Sequence, residues 1–296
     1  MIGVLDSGEG GLSVLKEITR LLPAEKYIYY SDNKYCPYGE KTKEFIVGRM
    51  ISITEELLRS GVDIIVVACN TATSAAISEL RKMYSDKESQ EVASRLSSLT
   101  SGRRHYVNFI GMEPAVKPAA LGTASGVIGV LATAGTLKGS KYLTSKENVD
   151  DNVRVVENVG KGFVEIVESG ILDGDKVERV VKQSLNPLLD EGADTIVLGC
   201  THYPFLLPVM RRVAGDGVRF IDPAPAVARR LVSVMIQDGL LAEHPLIPVD
   251  ADILQTKEEA NPHSVQSFSL QPRPDIELRA SGDPAALNLL FHKIYL

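Results

Sequence analysis

Asp63-Ile64-Ile65-Val66-Val67-Ala68-Cys69-Asn70-Thr71 returns 131 positions later as Asp194-Thr195-Ile196-Val197-Leu198-Gly199-Cys200-Thr201-His202. Each copy runs from an acidic residue through a short apolar stretch to a cysteine and a polar turn. Such a stretch, rich in β-branched residues and bounded by turn formers, reads as a buried strand. The small polar residues after each cysteine read as a helix start. Each thiol therefore belongs at the carboxyl end of a strand in a parallel sheet, where open α/β folds bind their ligands. Working outward, Ile2-Gly3-Val4-Leu5 recurs as Ile128-Gly129-Val130-Leu131 at an offset of 126. Phe109-Ile110 with Pro114-Ala115 is echoed by Phe220-Ile221 with Pro223-Ala224 at an offset of 111. The chain reads as a duplicated α/β framework that carries one thiol in each half.

The shrinking offset gives the first half about 20 extra residues after its cysteine helix, and the polar, Ser-rich stretch 85–106 is the candidate insert, read as a surface excursion. Strands are expected at Ile2–Leu5, Tyr27–Tyr30 and Ile64–Val67, with amphipathic helices at about Leu12–Leu22 and Lys41–Arg59 between them. Residues 245–275 are rich in Pro, Gln, Ser and Asp and read as loop. Ile276–Leu278 reads as a strand, and Gly282-Asp283-Pro284 starts a final helix. This tail has no counterpart in the middle of the chain and is expected to pack back on the first half. The expected domains are 1–112 plus 224–296, discontinuous and carrying the insert, and 113–223.

At 296 residues the chain is long enough for two such units. A net charge of −6 argues against a bulk affinity for nucleic acid or anionic membrane. No apolar run approaches a membrane span, and Met1-Ile2-Gly3 enters a strand without a leader pattern, so a cytoplasmic location is expected. Three widely spaced cysteines make neither a disulfide framework nor a zinc knuckle, and no metal site is expected.

Cys69 and Cys200 have a bland reading as small buried hydrophobes. Their matched places in a repeat favour a paired role. Two facing acid/base groups are what a reaction at a stereocentre needs, and a helix start is expected to lower each thiol's pKa. Asp6 either caps the next helix or assists a thiol. His202 either packs or tunes the proton affinity of Cys200 two residues away. Asn70, Thr71 and Thr201 are cap-type residues equally able to bind the charged groups of an amino acid. Tyr38 reads as a lining residue and Cys36 as structural. A rival reading takes Gly8-x-Gly10-x-x-Ser13 and Asp32, after the second strand, as a dinucleotide fingerprint and the chain as a nicotinamide-dependent oxidoreductase. That reading leaves the matched cysteines unexplained. A Walker loop is excluded, because no Gly-Lys-Ser/Thr follows.

Asp6-Ser7-Gly8-x-Gly10-Gly11, Pro37-Tyr38-Gly39, Ala68-Cys69-Asn70-Thr71-Ala72, Gly111-Met112-Glu113-Pro114-Ala115 and Leu198-Gly199-Cys200-Thr201-His202-Tyr203-Pro204 together resemble bacterial glutamate racemase. The resemblance runs from Ile2 to about Asp222 and resumes weakly at Gly282. It implies two pseudo-symmetric parallel-sheet domains facing each other across a central active-site cleft. It also implies a cofactor-independent two-base racemase that supplies D-glutamate for peptidoglycan. Cys69 would act on the D-enantiomer and Cys200 on the L-enantiomer, assisted by Asp6 and His202 respectively. Ser7, Tyr38, Gly39, Asn70, Thr71, Thr201 and His202 would bind substrate. Glu168 sits at the spacing of a family glutamate that orients the histidine, yet Phe163, Ile166 and Val167 form the apolar stripe there and predict an exposed Glu168. The expected partner is glutamate, with a homodimer as the assembly to test. An aspartate or related amino-acid racemase, and a non-catalytic binding module on the same frame, stay open at this point.

Overall fold

The computed structural model describes residues 1–241 and 274–295. Among the described residues, nine strands form two sheets, and every strand pair in both is parallel. The first half supplies β1 (Ile2–Asp6), β2 (Lys26–Ser31), β3 (Ile64–Val67) and β4 (Phe109–Gly111). The second supplies β5 (Val127–Ala132), β6 (Arg154–Val159), β7 (Thr195–Gly199) and β8 (Arg219–Ile221). The orders are β4-β3-β1-β2 and β8-β7-β5-β6, the same sequence of first, second, third and fourth strands in each sheet. The duplication visible in the sequence is therefore a duplication of topology. A ninth strand, β9 (Asp275–Ala280), pairs with β2 and extends the first sheet alone. The tail thus returns to the first half as expected, while the loop expected at 245–275 lies outside the described residues up to residue 273.

The repeated glycine of the Ile-Gly-Val-Leu motif has a packing cause. A Cβ on Gly3 would stand 2.9 Å from Val62 Cγ1, and one on Gly129 2.6 Å from Ile196 Cδ1. Covering side chains lie directly on the central strand at the same register in both sheets. The helix after each fourth strand crosses to the opposite half. Val116–Gly122 packs on β5 and β7, whereas Ala224–Gln237 packs on the Leu12–Leu21 helix. These two reciprocal crossings tie the sheets together with their carboxyl ends towards one cleft.

The stretch 85–106 corrects the expectation of a bare surface excursion. Gln90–Thr100 is a helix capped by Ser89, which accepts a hydrogen bond from Val92 N at 3.3 Å. Its Val92, Leu96 and Thr100 are buried against the Lys43–Arg59 and Asn70–Tyr84 helices. Two apolar residues and a threonine, spaced four residues apart, suffice to dock a short helix, even though the stretch is polar on average. Among the described residues, no helix is long and apolar enough to cross a membrane.

Candidate active site

Cys69 and Cys200 line one cavity of about 20 Å³, which is space for a single water molecule. Its wall also includes Ser7, Tyr38, Gly39, Asn70, Thr71, Thr201 and His202 from the sequence reading. Cys36, Pro37, Thr133, Thr136 and Val164 complete it. Residues from the ends of β1, β2, β3, β5 and β7 thus converge, because parallel strands with crossover helices expose all their carboxyl ends on the same side.

Each thiol begins a chain of polar groups that ends on a carboxylate. Cys69 Sγ lies 3.5 Å from Ser7 Oγ, which lies 3.4 Å from Asp6 Oδ1. Asp6 is fixed in turn by the Ser7 and Gly11 amides, at 2.7 and 2.6 Å. Cys200 Sγ lies 3.6 Å from His202 Nδ1, and His202 Nε2 lies 2.5 Å from Glu168 Oε1. The Glu9 amide donates to the same Glu168 oxygen at 3.0 Å, across the cleft. Glu168 is therefore only 21% exposed and corrects the expectation of an exposed side chain. It is the last residue of a six-residue helix, Phe163–Glu168, so the stripe through Phe163 and Ile166 leaves it at the helix end, free to turn inward.

The local electrostatics differ between the two chains. Burial raises the Asp6 carboxyl to about 6, against the opposing pull of His202. Burial and then Asp6 push the Cys69 thiol up, outweighing the bonds from Ser7 and the Ala72 amide. This reverses the expectation that the helix start lowers it. The Ala72 amide does reach Cys69 Sγ, at 3.4 Å, but desolvation of a buried thiolate is the larger effect. For His202, burial opposes the charged form, yet hydrogen bonds with Cys200, Cys36 and Glu168 prevail and hold it well above its ordinary value.

The remaining wall is prepared for a polar guest. Asn70 is buried and its Nδ2 has no hydrogen-bond partner among the described residues. Thr71, Thr133 and Thr136 join their hydroxyls at 2.9–3.4 Å. Thr201 is held by its carbonyl, which accepts from Ser13 Oγ at 2.9 Å. The Tyr38 hydroxyl donates to Asp32 at 2.5 Å, and Arg49 grips the same carboxylate at 2.6 and 2.9 Å.

These contacts give the glycine turn a different purpose from dinucleotide binding. A Cβ on Gly8 would fall 2.4 Å from Glu168 Oε1, and one on Gly10 2.4 Å from His202 Nδ1. The glycines make room for side chains from the facing half. Asp32, the ribose-binding acid of the rival reading, is committed to Arg49 and Tyr38. Cys36, read as structural, borders the cavity instead, with Sγ 3.8 Å from Glu168 Oε1. Only its place in the Pro37-Tyr38-Gly39 turn hinted at this.

Comparison with known proteins agrees with this geometry. A family model described as Asp/Glu/Hydantoin racemase matches residues 104–231. The glutamate racemase of Ectopseudomonas mendocina is 45% identical over 244 residues, 82% of this chain and 85% of that protein. The chain belongs to the glutamate racemase family. The family's member from Cupriavidus pinatubonensis is 40% identical over 260 residues, 88% of each chain. Among solved structures, glutamate racemase isoform RacE1 of Bacillus anthracis superposes with a TM-score of 0.73 at 28% identity, over 99% of this chain and 92% of that one. Escherichia coli glutamate racemase, solved with L-glutamate and the activator UDP-MurNAc-ala, superposes with a TM-score of 0.65 at 34% identity, over 79% and 82% of the two chains. Membership in the glutamate racemase family makes the reaction an isomerisation of an amino acid and decides against the oxidoreductase reading.

Proposed function

We propose that this chain interconverts L- and D-glutamate by a two-base route, with Cys69 and Cys200 as the catalytic acid/base pair. The observation that carries this reading is that both thiols line one cavity, each backed by its own route to a carboxylate. Starting from L-glutamate, the Cys200 thiolate removes the α-proton while the Cys69 thiol protonates the opposite face. The D-enantiomer runs the sequence in reverse. Asp6 acts on Cys69 through Ser7, and Glu168 acts on Cys200 through His202. Both carboxylates are positioning residues. Well-placed acid/base groups supply about 10²–10⁴-fold of the rate. The rest comes from fixed donors around the carbanion, for which Asn70 Nδ2 and the hydroxyls of Thr71, Thr133 and Thr136 are in place. Ser7, Tyr38, Gly39, Thr201 and His202 shape and bind the remainder of the substrate.

The product, D-glutamate, serves peptidoglycan synthesis in this reading, and the site of action is the cytoplasm, where thiols stay reduced. We also propose the division into 1–112 plus 224–296 and 113–223, supported by the two helix crossings. The deciding experiment follows solvent deuterium into the α-carbon of each glutamate enantiomer with Cys69→Ser and Cys200→Ser. Either substitution is expected to nearly abolish racemization, each blocking proton removal from a different enantiomer. Wild-type turnover in both directions by either variant would sink the two-base assignment.

A further inference from the structure

Cys36 stands outside both proton routes, yet its sulfur meets the end of one. The donor atoms of Cys36, Glu168 and His202 all lie within 4.8 Å of one another. A thiol, a carboxylate oxygen and an imidazole nitrogen form a donor set for a borderline-soft divalent ion. Zinc bonds of roughly 2.0–2.3 Å to such donors place neighbouring tetrahedral donors roughly 3.3–3.8 Å apart. Cys36 Sγ and Glu168 Oε1 already stand 3.8 Å apart. The 2.5 Å contact between His202 Nε2 and Glu168 has to widen once its proton leaves. The absence of a side chain at Gly8 keeps this corner open, because a Cβ there would lie 2.4 Å from Glu168 Oε1 and 2.9 Å from Cys36 Sγ. The adjoining water-sized cavity offers a fourth, exchangeable position.

We propose that Cys36, Glu168 and His202 form an inhibitory binding site for a thiophilic divalent cation of the zinc class. Binding releases the Cys36 thiol proton and the Nε2 proton to solvent. The metal then stands where that proton linked His202 Nε2 to Glu168, which breaks the route from Cys200 through His202 to the carboxylate. Hard cations such as magnesium and calcium prefer all-oxygen sites and leave the cluster unoccupied. Metal binding stands on the geometry alone, whereas inhibition rests on the racemase reading.

The test titrates the metal-free full chain with Co²⁺ and Zn²⁺. One equivalent of Co²⁺ is expected to give thiolate-to-cobalt charge-transfer absorption that Zn²⁺ displaces, and Zn²⁺ but not Mg²⁺ is expected to inhibit L-glutamate racemization. In Cys36→Ser the charge-transfer band is expected to vanish. The half-inhibitory Zn²⁺ concentration, read against that variant's own uninhibited rate, is expected to rise at least tenfold, with circular dichroism confirming the fold. A band and a Zn²⁺ sensitivity unchanged in Cys36→Ser would place the metal on Cys69 or Cys200 and overturn the site, as would the absence of any band in the wild type. A Cys36-dependent band in a chain without racemase activity would uphold the site and overturn the functional reading instead.

Discussion

The ring of His202 occupies the space where Gly10 would carry a side chain: a Cβ there would stand 2.4 Å from Nδ1 and 2.7 Å from Cε1. The ring can yield only by giving up its partners, because Glu168 holds one nitrogen and Cys200 lies against the other. Gly10→Ala is therefore expected to displace His202 at a cost of about 1–3 kcal/mol in stability. Racemization is expected to fall at least tenfold. Thermal melting together with kcat in both directions checks this, and wild-type kinetics would refute it.

Asp6 supplies a pH dependence whose sign can be worked out. Burial raises its carboxyl from 3.8 to about 6, so the folded chain binds this proton more tightly than the unfolded chain does. Its contribution to stability is present in full below about pH 4 and lost as pH rises through about 6, a change on the order of 3 kcal/mol. The ionised form is the one that accepts a proton through Ser7. An acid limb near pH 6 is expected in kcat/KM for D-glutamate, and Asp6→Asn is expected to remove it along with most of the rate. A limb near pH 4 would show that Asp6 is not the titrating group.

Asn70 buries an amide donor that has no partner among the described residues and faces the cavity, where water or the guest can meet it. Replacing Asn70 by Ala removes that donor and is expected to raise KM for glutamate at least tenfold, corresponding to the roughly 1–3 kcal/mol of a buried polar contact. The chain's stability should hold or rise, because an unsatisfied buried group is lost. Initial-rate kinetics and a urea titration separate the two effects. An unchanged KM would remove Asn70 from the binding surface.

The helix inside 85–106 is expected to be part of the folded core. Leu96 is fully buried there, and Leu96→Ala is expected to cost about 2–4 kcal/mol by urea denaturation. The residual activity at low temperature should stay close to wild type, because Leu96 does not line the cavity. A change below about 0.5 kcal/mol would return the stretch to the status of a surface appendage.

The two parallel sheets, their duplication and the thiol positions at strand ends were legible in the sequence, because repeated apolar runs report local structure directly, whereas the strand order was not. Cys69, Asn70, Cys200 and His202 were visible for that reason. Two of the misreadings come from contact across the cleft. Glu168 looked outward by helical periodicity, but its direction is set by His202 and the Glu9 amide. The Gly8 and Gly10 turn matched a dinucleotide pattern, but its glycines answer to side chains more than 150 residues away in the chain. Cys36 carried no pattern of its own. The docked helix at Gln90–Thr100 was hidden by averaging, because three buried residues are diluted by their polar neighbours.

A chamber with room for a single water cannot admit an amino acid as it stands. Glutamate must part the walls to arrive, and its mirror image must part them again to leave. In the proposed division into two domains, the backbone crossings at 112–115 and 222–224 are the links among the described residues about which the halves would swing. Opening and reclosing then belong to the expected cycle, and kcat is expected to fall as solvent viscosity rises.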